Sequence, residues 1–431
     1  MTAAREKEMI STRELAARLE EKDLAIIDIR SVAAYNGWRI RNQTRGGHIR
    51  GARSLPFKWT RYIDWIEILR SKEISPRQSL VIYGSDLLQT EAAVGKFRRA
   101  GYPKVKVYPD FIRQWTADAS LPLQQLPRYR HLVSPRWLNT LIGTGAAPEY
   151  PGKGFVICHA HYRNPGAYTS GHIPGAIALD TNTLESEQTW NRRSPRELEK
   201  TLTGLGIRRD TTVILYGKFS FPDPADPFPG SSAGQLGAMR CAAIMLYAGL
   251  EDVRVLNGGY QAWIDEGYPP ATTPTVPRPV PEFGAALPLH PEYMVDLPEA
   301  REILRNPQKN LVSVRSWSEY TGEVSGYHYI RRKGRIPGSV FGNCGSDAYH
   351  MENYRNLDHT TREYHEIESL WARAGITAGR YNAFYCGTGW RASEAFFNAW
   401  LMAWPRISVF DGGWFEWSQD PKNPVETGIP D

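Results

Sequence analysis

Apolar positions in this chain gather into short β-branched or aliphatic runs, divided by polar, glycine-rich turns, and the same succession comes round three times. The runs Leu24-Ala25-Ile26-Ile27-Asp28, Phe155-Val156-Ile157-Cys158 and Leu311-Val312-Ser313-Val314-Arg315 each predict a strand. A helix start precedes each one. Ser11-Thr12-Arg13-Glu14 and Asp296-Leu297-Pro298-Glu299 fit a capping box, and Ser134-Pro135 fits an N-cap followed by proline at the first helical position. A second apolar run follows in each copy and stops at a turn: Val81-Ile82-Tyr83-Gly84, Ile214-Leu215-Tyr216-Gly217 and Phe384-Tyr385-Cys386. The longest apolar run, Cys241 to Leu250, is far too short to span a membrane and predicts a buried helix with Cys241 as a small core residue.

Turn signatures repeat with the strands. Gly47-His48-Ile49-Arg50-Gly51-Ala52, Gly171-His172-Ile173-Pro174-Gly175-Ala176 and Gly334-Arg335-Ile336-Pro337-Gly338-Ser339 follow the first strand of each copy. Each copy closes at Val107-Tyr108-Pro109-Asp110, Val255-Leu256-Asn257-Gly258-Gly259 or Val409-Phe410-Asp411-Gly412-Gly413, with Trp115, Trp263 or Trp417 beyond. The intervals are 109 − 84 = 25, 257 − 217 = 40 and 411 − 386 = 25, so one unit was triplicated and its second copy gained 15 residues. Strands alternating with helical stretches predict an α/β fold: three tandem domains, each a mainly parallel five-stranded sheet flanked by helices. Proline-rich connectors at 121–128 and 269–282 divide the chain into residues 1–130, 131–275 and 276–431. The excess at 219–235 reads as an ordered loop lying on a neighbouring domain, with a mobile lid over the site as the alternative.

Composition narrows the class. The 431 residues are 41% hydrophobic and 23% charged, and Lys+Arg 52 against Asp+Glu 46 leaves +6 without a basic run, so neither nucleic acid nor membrane is an expected partner. The polar N-terminus carries no leader-like stretch, and four scattered cysteines (Cys158, Cys241, Cys344, Cys386) make no disulfide framework. A cytoplasmic location is expected, or a periplasmic one if a leader has been removed.

The chemistry centres on Cys386-Gly387-Thr388-Gly389-Trp390-Arg391. A cysteine between a strand end and a helix start, in a glycine-rich turn, is surrounded by backbone N–H groups that favour an anionic sulfur. Four residues separate Cys386 from Arg391, one fewer than in the Cys-x5-Arg loops that hold a tetrahedral phosphate, so the bowl suits sulfur. Gly387 and Gly389 permit backbone conformations closed to other residues, Thr388 offers a hydroxyl, Trp390 an apolar wall at the pocket mouth, and Arg391 a planar fork for a sulfonate or carboxylate. Each has a plainer alternative: Thr388 shaping the turn, Trp390 anchoring one domain on another, Arg391 pairing with a carboxylate elsewhere.

These motifs resemble the rhodanese family, over nearly the whole chain and most closely its bacterial triple-domain sulfurtransferases. The resemblance implies that Cys386 accepts sulfane sulfur as a persulfide and passes it on, with no cofactor and no metal. It also implies that the first two copies are inactive, with Gly84 and Gly217 at the cysteine position. The donor expected from the family is thiosulfate or 3-mercaptopyruvate, the acceptor cyanide or a thiol. The loop resembles the mercaptopyruvate type as far as Gly389, but Trp390-Arg391 replaces Val-Thr, and Glu319 stands where those enzymes carry an arginine.

Further candidates are weaker. His172 would face the Cys386 pocket if the second domain packs on the third, although a role within its own turn is favoured. Arg331, Arg332, Lys333 and Arg335 form a basic cluster, with Arg332 a candidate for the donor anion and a solvated turn the alternative. Cys158, His159 and His161 do not make a metal set, because neighbours on a strand point to opposite faces; Cys158 is aligned with Asp28 of the first copy. The leading reading is an enzyme acting on a small anionic donor. The alternative is a protein-to-protein persulfide relay, with a sulfur-carrier protein as partner and the inactive domains as docking surfaces.

Overall fold

The computed structural model describes residues 8–219 and 234–430. The chain forms two compact units, Met1–Arg130 and His131–Asp431; the second contains both later repeats. In the first unit the sheet runs Arg53–Ser54, Leu24–Asp28, Ser79–Tyr83, Val105–Tyr108, all parallel. In the second unit one five-stranded sheet runs Leu132–Val133, Asp252–Leu256, Thr212–Tyr216, Phe155–His161, Ile177–Asp180. The other runs Met294–Val295, Ile407–Phe410, Tyr381–Tyr385, Lys309–Ser313, Val340–Phe341, again parallel throughout.

The expected fifth strand is therefore missing from the first sheet. Its segment is there, but Met9 makes only a single parallel bridge to Val107. The predicted helix starts form: Ser11 and Ser134 accept from the amides of Glu14 and Trp137, and Asp296 and Glu299 cap each other. The strand pairing also corrects one alignment. Asp28 lies opposite Tyr83, Ser313 opposite Tyr385 and His159 opposite Tyr216, so His159, not Cys158, holds the place of Asp28. A one-residue slip moves a side chain to the other face of the sheet.

The repeated residues share structural work. Tyr35, Tyr168 and Tyr320 donate their hydroxyls to the carbonyls of Ala52, Ala176 and Ser339, closing the glycine-bounded turn onto the preceding helix. On those rings lie His48 and His172, stacked at centroid distances of 3.7 and 4.0 Å, and in the third copy the Arg335 guanidinium at 5.0 Å. The indoles of Trp115, Trp263 and Trp417 donate to the carbonyls of Pro122, Pro269 and Pro424, latching each repeat to its own tail.

Two helices decide how the second unit is built. Gly234–Ala248 and Trp390–Leu401 are buried at every residue and pack against each other. A helix apolar all round is one buried on all sides, which explains the run beginning at Cys241. Small residues let the two approach; a Cβ at Gly237 would stand 3.2 Å from Thr181 and 3.4 Å from the Trp390 ring. Of the insertion at 219–235, residues 220–233 lie outside the described residues; its first residue, Phe219, stacks on His359 of the third repeat at 4.0 Å.

Candidate active site

Cys386 stands immediately beyond the strand Tyr381–Tyr385, and the helix Trp390–Leu401 begins four residues later. Ligands of open parallel sheets lie at this carboxyl end. The turn between is held from behind: the carbonyls of Cys386 and Gly387 accept from the amides of Trp414 and Phe415, at 2.8 and 2.9 Å. The first-turn amides of Trp390–Leu401 have no side-chain cap.

Both glycines are required by their surroundings. Gly389 has φ +90°, and a Cβ there would stand 3.0 Å from Arg240 and 3.1 Å from the Asp411 carbonyl. At Gly387 a Cβ would overlap the Tyr327 ring. Thr388 is buried and its hydroxyl meets that of Tyr329. Cys386 is fully buried, as are the other three cysteines, all of them free.

Arg391 is not an open fork. Its two terminal nitrogens hold the Glu319 carboxylate at 2.9 and 2.8 Å, and both side chains are buried. Burial opposes the charge on both, yet the pair outweighs it: Glu319 is held below the usual glutamate range, with Arg315 assisting, and Arg391 well above the usual arginine value. The same guanidinium donates to the Tyr327 hydroxyl at 3.1 Å and lies 3.8 Å from the Cys344 sulfur. The expectation that Arg391 grips the donor anion is thus replaced by its plainer alternative. The carboxylate at 319 is visible in the sequence, but not that it meets the loop arginine 72 residues on.

Trp390 likewise does not front an open mouth. Its indole N–H donates to Glu185 of the second repeat at 2.9 and 3.1 Å, and its ring sits edge-on to Tyr162 and Trp190. Around Cys386 the third repeat gathers tyrosines that sequence reasoning missed. Tyr327 covers Gly387, Tyr329 packs on Tyr327 at 5.2 Å, and Tyr349 stands beyond at 6.2 Å. Burial pushes the Tyr327 hydroxyl up, Arg391 pulling the other way, and pushes the Cys344 thiol up to about 12. Nothing periodic marks Tyr327 in sequence; it belongs to a loop.

The remaining candidates lie elsewhere. His172 is buried in its own turn, with its two ring nitrogens at the carbonyls of Tyr168 and Thr273, each 3.1 Å away, and does not polarise a leaving group at Cys386. Arg332 reaches the Asp420 carbonyl at 3.3 Å, Lys333 that of Glu323, and Arg335 pairs with Glu426, while Arg331 stands exposed, so three of the four basic residues are engaged with the tail and with their own turn. Among the described residues no His/Cys/Asp/Glu cluster could hold a metal, and no helix is long and apolar enough to cross a membrane.

Three parallel α/β repeats, one of them presenting a cysteine between a strand end and a helix start, define a sulfurtransferase architecture. The chain belongs to the rhodanese family: the Rhodanese-like domain matches residues 11–118, 162–266 and 296–420. It is 39% identical over 418 residues to thiosulfate sulfurtransferase YnjE of Escherichia coli (strain K12), covering 95% of this chain and 91% of that one. It is 29% identical to the sulfur carrier protein TtuD of Thermus thermophilus, over 61% of this chain and 87% of that one. Among solved structures, EanB in complex with ergothioneine superposes with a TM-score of 0.96 at 56% identity, covering 98% of this chain and 99% of that chain. Other EanB structures hold hercynine, or a cysteine persulfide in a tetrahedral intermediate state with ergothioneine. The tyrosine, second cysteine and threonine altered in EanB lie 59 before, 42 before and 2 after its persulfide cysteine, the intervals of Tyr327, Cys344 and Thr388 from Cys386. A further cysteine altered there lies 73 before, the interval of Ser313 from Cys386.

Proposed function

We propose that Cys386 carries a persulfide and delivers its outer sulfur to the carbon between the two nitrogens of an imidazole betaine such as hercynine, yielding a thione such as ergothioneine. The observation that carries this reading is the closed Arg391–Glu319 pair. A loop built for a dianionic donor would aim its guanidinium outward. Here that charge is neutralised and the rings of Tyr327, Tyr329 and Tyr349 stand around it, surroundings that suit an aromatic ring and a quaternary ammonium better than thiosulfate. The likeness to EanB complexes at 56% identity supports the same substrate class.

Charging comes first. The Cys386 thiolate attacks the outer sulfur of a sulfane donor (thiosulfate, releasing sulfite, or a polysulfide, releasing the shortened chain) and forms the S–S bond. In transfer, a C–S bond forms between the outer sulfur and the imidazole carbon. The S–S bond breaks with its electron pair returning to the Cys386 sulfur, and the carbon's proton leaves to a base. One sulfur atom is gained by the substrate and one lost by the enzyme, so no separate oxidant enters. The amides of the loop hold the anionic sulfur through both steps without reorganising. Tyr327, whose hydroxyl stays protonated through burial and faces Arg391, is placed to hydrogen-bond the imidazole or relay its proton.

The test is incubation with polysulfide and hercynine, read by mass. A product heavier by about 32 Da, one sulfur atom, absent with Cys386→Ser, supports the reading. Turnover of the persulfide by cyanide or a thiol with none by hercynine would overturn it. That result would favour a thiosulfate sulfurtransferase in the narrow sense, which the likeness to YnjE supports. Transfer only to a carrier protein would favour the relay instead.

A further inference from the structure

The second repeat has glycine where the third has its reactive cysteine, yet its side chains reach the back of the Cys386 loop. Glu185, on the loop after the strand Ile177–Asp180, accepts the Trp390 indole N–H on both carboxylate oxygens, at 2.9 and 3.1 Å. The same carboxylate accepts from Arg240 Nε at 2.9 Å. Arg240, on the all-buried helix Gly234–Ala248, reaches Asp411 on the closing turn at 2.6 Å and donates to the Trp190 carbonyl. Its remaining nitrogen faces Gly389, where a Cβ would stand 3.0 Å away. Arg192 completes the set, holding Asp411 by backbone amide and guanidinium at 2.8 and 2.9 Å.

These contacts have one geometry in common. Trp390 is the first residue of the helix that follows Cys386, Gly389 is its cap, and Asp411 lies just before the helix Gly413–Gln419, whose Trp414 and Phe415 amides take the carbonyls of Cys386 and Gly387. Fully buried Glu185 holds Trp390, and fully buried Arg240 holds Asp411 and stands against Gly389. Buried charged groups bonded to one another permit few alternative arrangements.

We infer that Glu185 and Arg240 are positioning residues for sulfur transfer: the second repeat is a brace that fixes the Cys386 loop through Trp390, Gly389 and Asp411. The inference rests on Cys386 being the sulfur carrier. It predicts that loosening the Glu185–Trp390 contact slows transfer without weakening substrate binding, since a misplaced loop costs rate rather than affinity.

The experiment is a double-mutant cycle on the full chain with Glu185→Ala, Glu185→Gln, Trp390→Phe and the double variant Glu185→Ala/Trp390→Phe. Transfer from the Cys386 persulfide and amide exchange over 387–391 are measured together. Glu185→Ala and Trp390→Phe should each lower kcat about tenfold with KM within about twofold. The double variant should be no slower than the slower single, because both remove one contact. Glu185→Gln, which keeps an oxygen for the indole, should recover most of the rate. Exchange of the loop amides should rise in Glu185→Ala and stay near the parent value in Glu185→Gln. Multiplying losses in the double variant, or unchanged kcat and exchange in both singles, would overturn the brace. Amide exchange needs no substrate, so if the parent protein takes up no sulfur the functional reading fails by itself and the brace is still judged.

Discussion

The first and third repeats part company where two strand ends meet, and the difference concerns charge. In the first, Arg30 closes its fork on Asp28 through contacts of 2.5–3.1 Å, and Tyr83 donates to the same carboxylate at 2.9 Å. In the third, Ser313 occupies that register and Arg315 has only its hydroxyl at 3.4 Å and the Gly334 carbonyl. Arg315 is fully buried over the Tyr385 and Trp414 rings and forms no ion pair among the described residues. Arg391 and Glu319 cancel each other, so one buried positive charge is left over at the strand end carrying Cys386. If Cys386 carries a persulfide as proposed, its negative charge would offset that surplus. The first repeat neutralises its arginine with a fixed carboxylate; the third has Ser313 in that place.

Several substitutions can break or sharpen this contrast. Cys386→Ser should abolish persulfide formation and lower turnover by about 10³-fold or more, checked by intact mass and by product formation. Glu319→Ala should strand Arg391 as a second uncompensated buried cation, costing about 3–5 kcal/mol in denaturant unfolding. An effect under about 1 kcal/mol would mean that the pair is not the closed unit described.

Restoring the sulfur to an empty repeat should fail. A Cβ at Gly217 would overlap the Gly234 backbone, and at Gly84 it would stand 2.9 Å from both Ile29 and Thr90. Gly217→Cys and Gly84→Cys should therefore bring no sulfur uptake and lower stability by about 1–3 kcal/mol. Uptake by either would show that the bowl is cheaper to build than the packing implies. Ser313→Asp rebuilds the first repeat's ion pair inside the third and should slow persulfide formation about tenfold, as expected for a change of one to two kcal/mol in charge stabilisation. An unchanged rate would remove Arg315 from the account.

Dependence on pH gives the smallest effect. Glu319 and Asp411 are held below their ordinary values: burial opposes their charge, but Arg391 and Arg315 outweigh it for the first, Arg240 and Arg192 for the second. Their stabilisation is present above the unfolded carboxylate range near pH 4 and is lost as pH falls through their lower folded values. Glu185 runs the other way. Burial pushes it up to about 7 against the pull of Arg240, so between about pH 4.5 and 7 the folded state holds a proton the unfolded state releases, and stability declines as pH rises. Glu185→Gln should flatten that slope in thermal melts across the interval.

How far the sequence could be read follows from what each feature depends on. The threefold frame, the strand before Cys386 and the capped helix starts are local patterns, and apolar period and turn chemistry mark them. Glycine at 387 and 389 was legible as a backbone requirement, but not that Tyr327 and Arg240 impose it. The fork of Arg391 was misjudged because its partner lies 72 residues away on another helix. Trp390 was misjudged for the same reason, since Glu185 is 205 residues distant. Side chains that look equally suited to gripping a substrate or a neighbour are decided by tertiary contacts. The slip between Cys158 and His159 arose because apolar runs fix a strand's existence better than its end.

The two helices buried at every residue have a practical corollary. Trimming the protein to a minimal sulfur-handling fragment by severing it near residue 275 would bare Gly234–Ala248 on one piece and Trp390–Leu401 on the other, two largely apolar helices that now cover each other. Such halves should come out of an expression host as aggregates, and mixing them after purification should not restore what was cut.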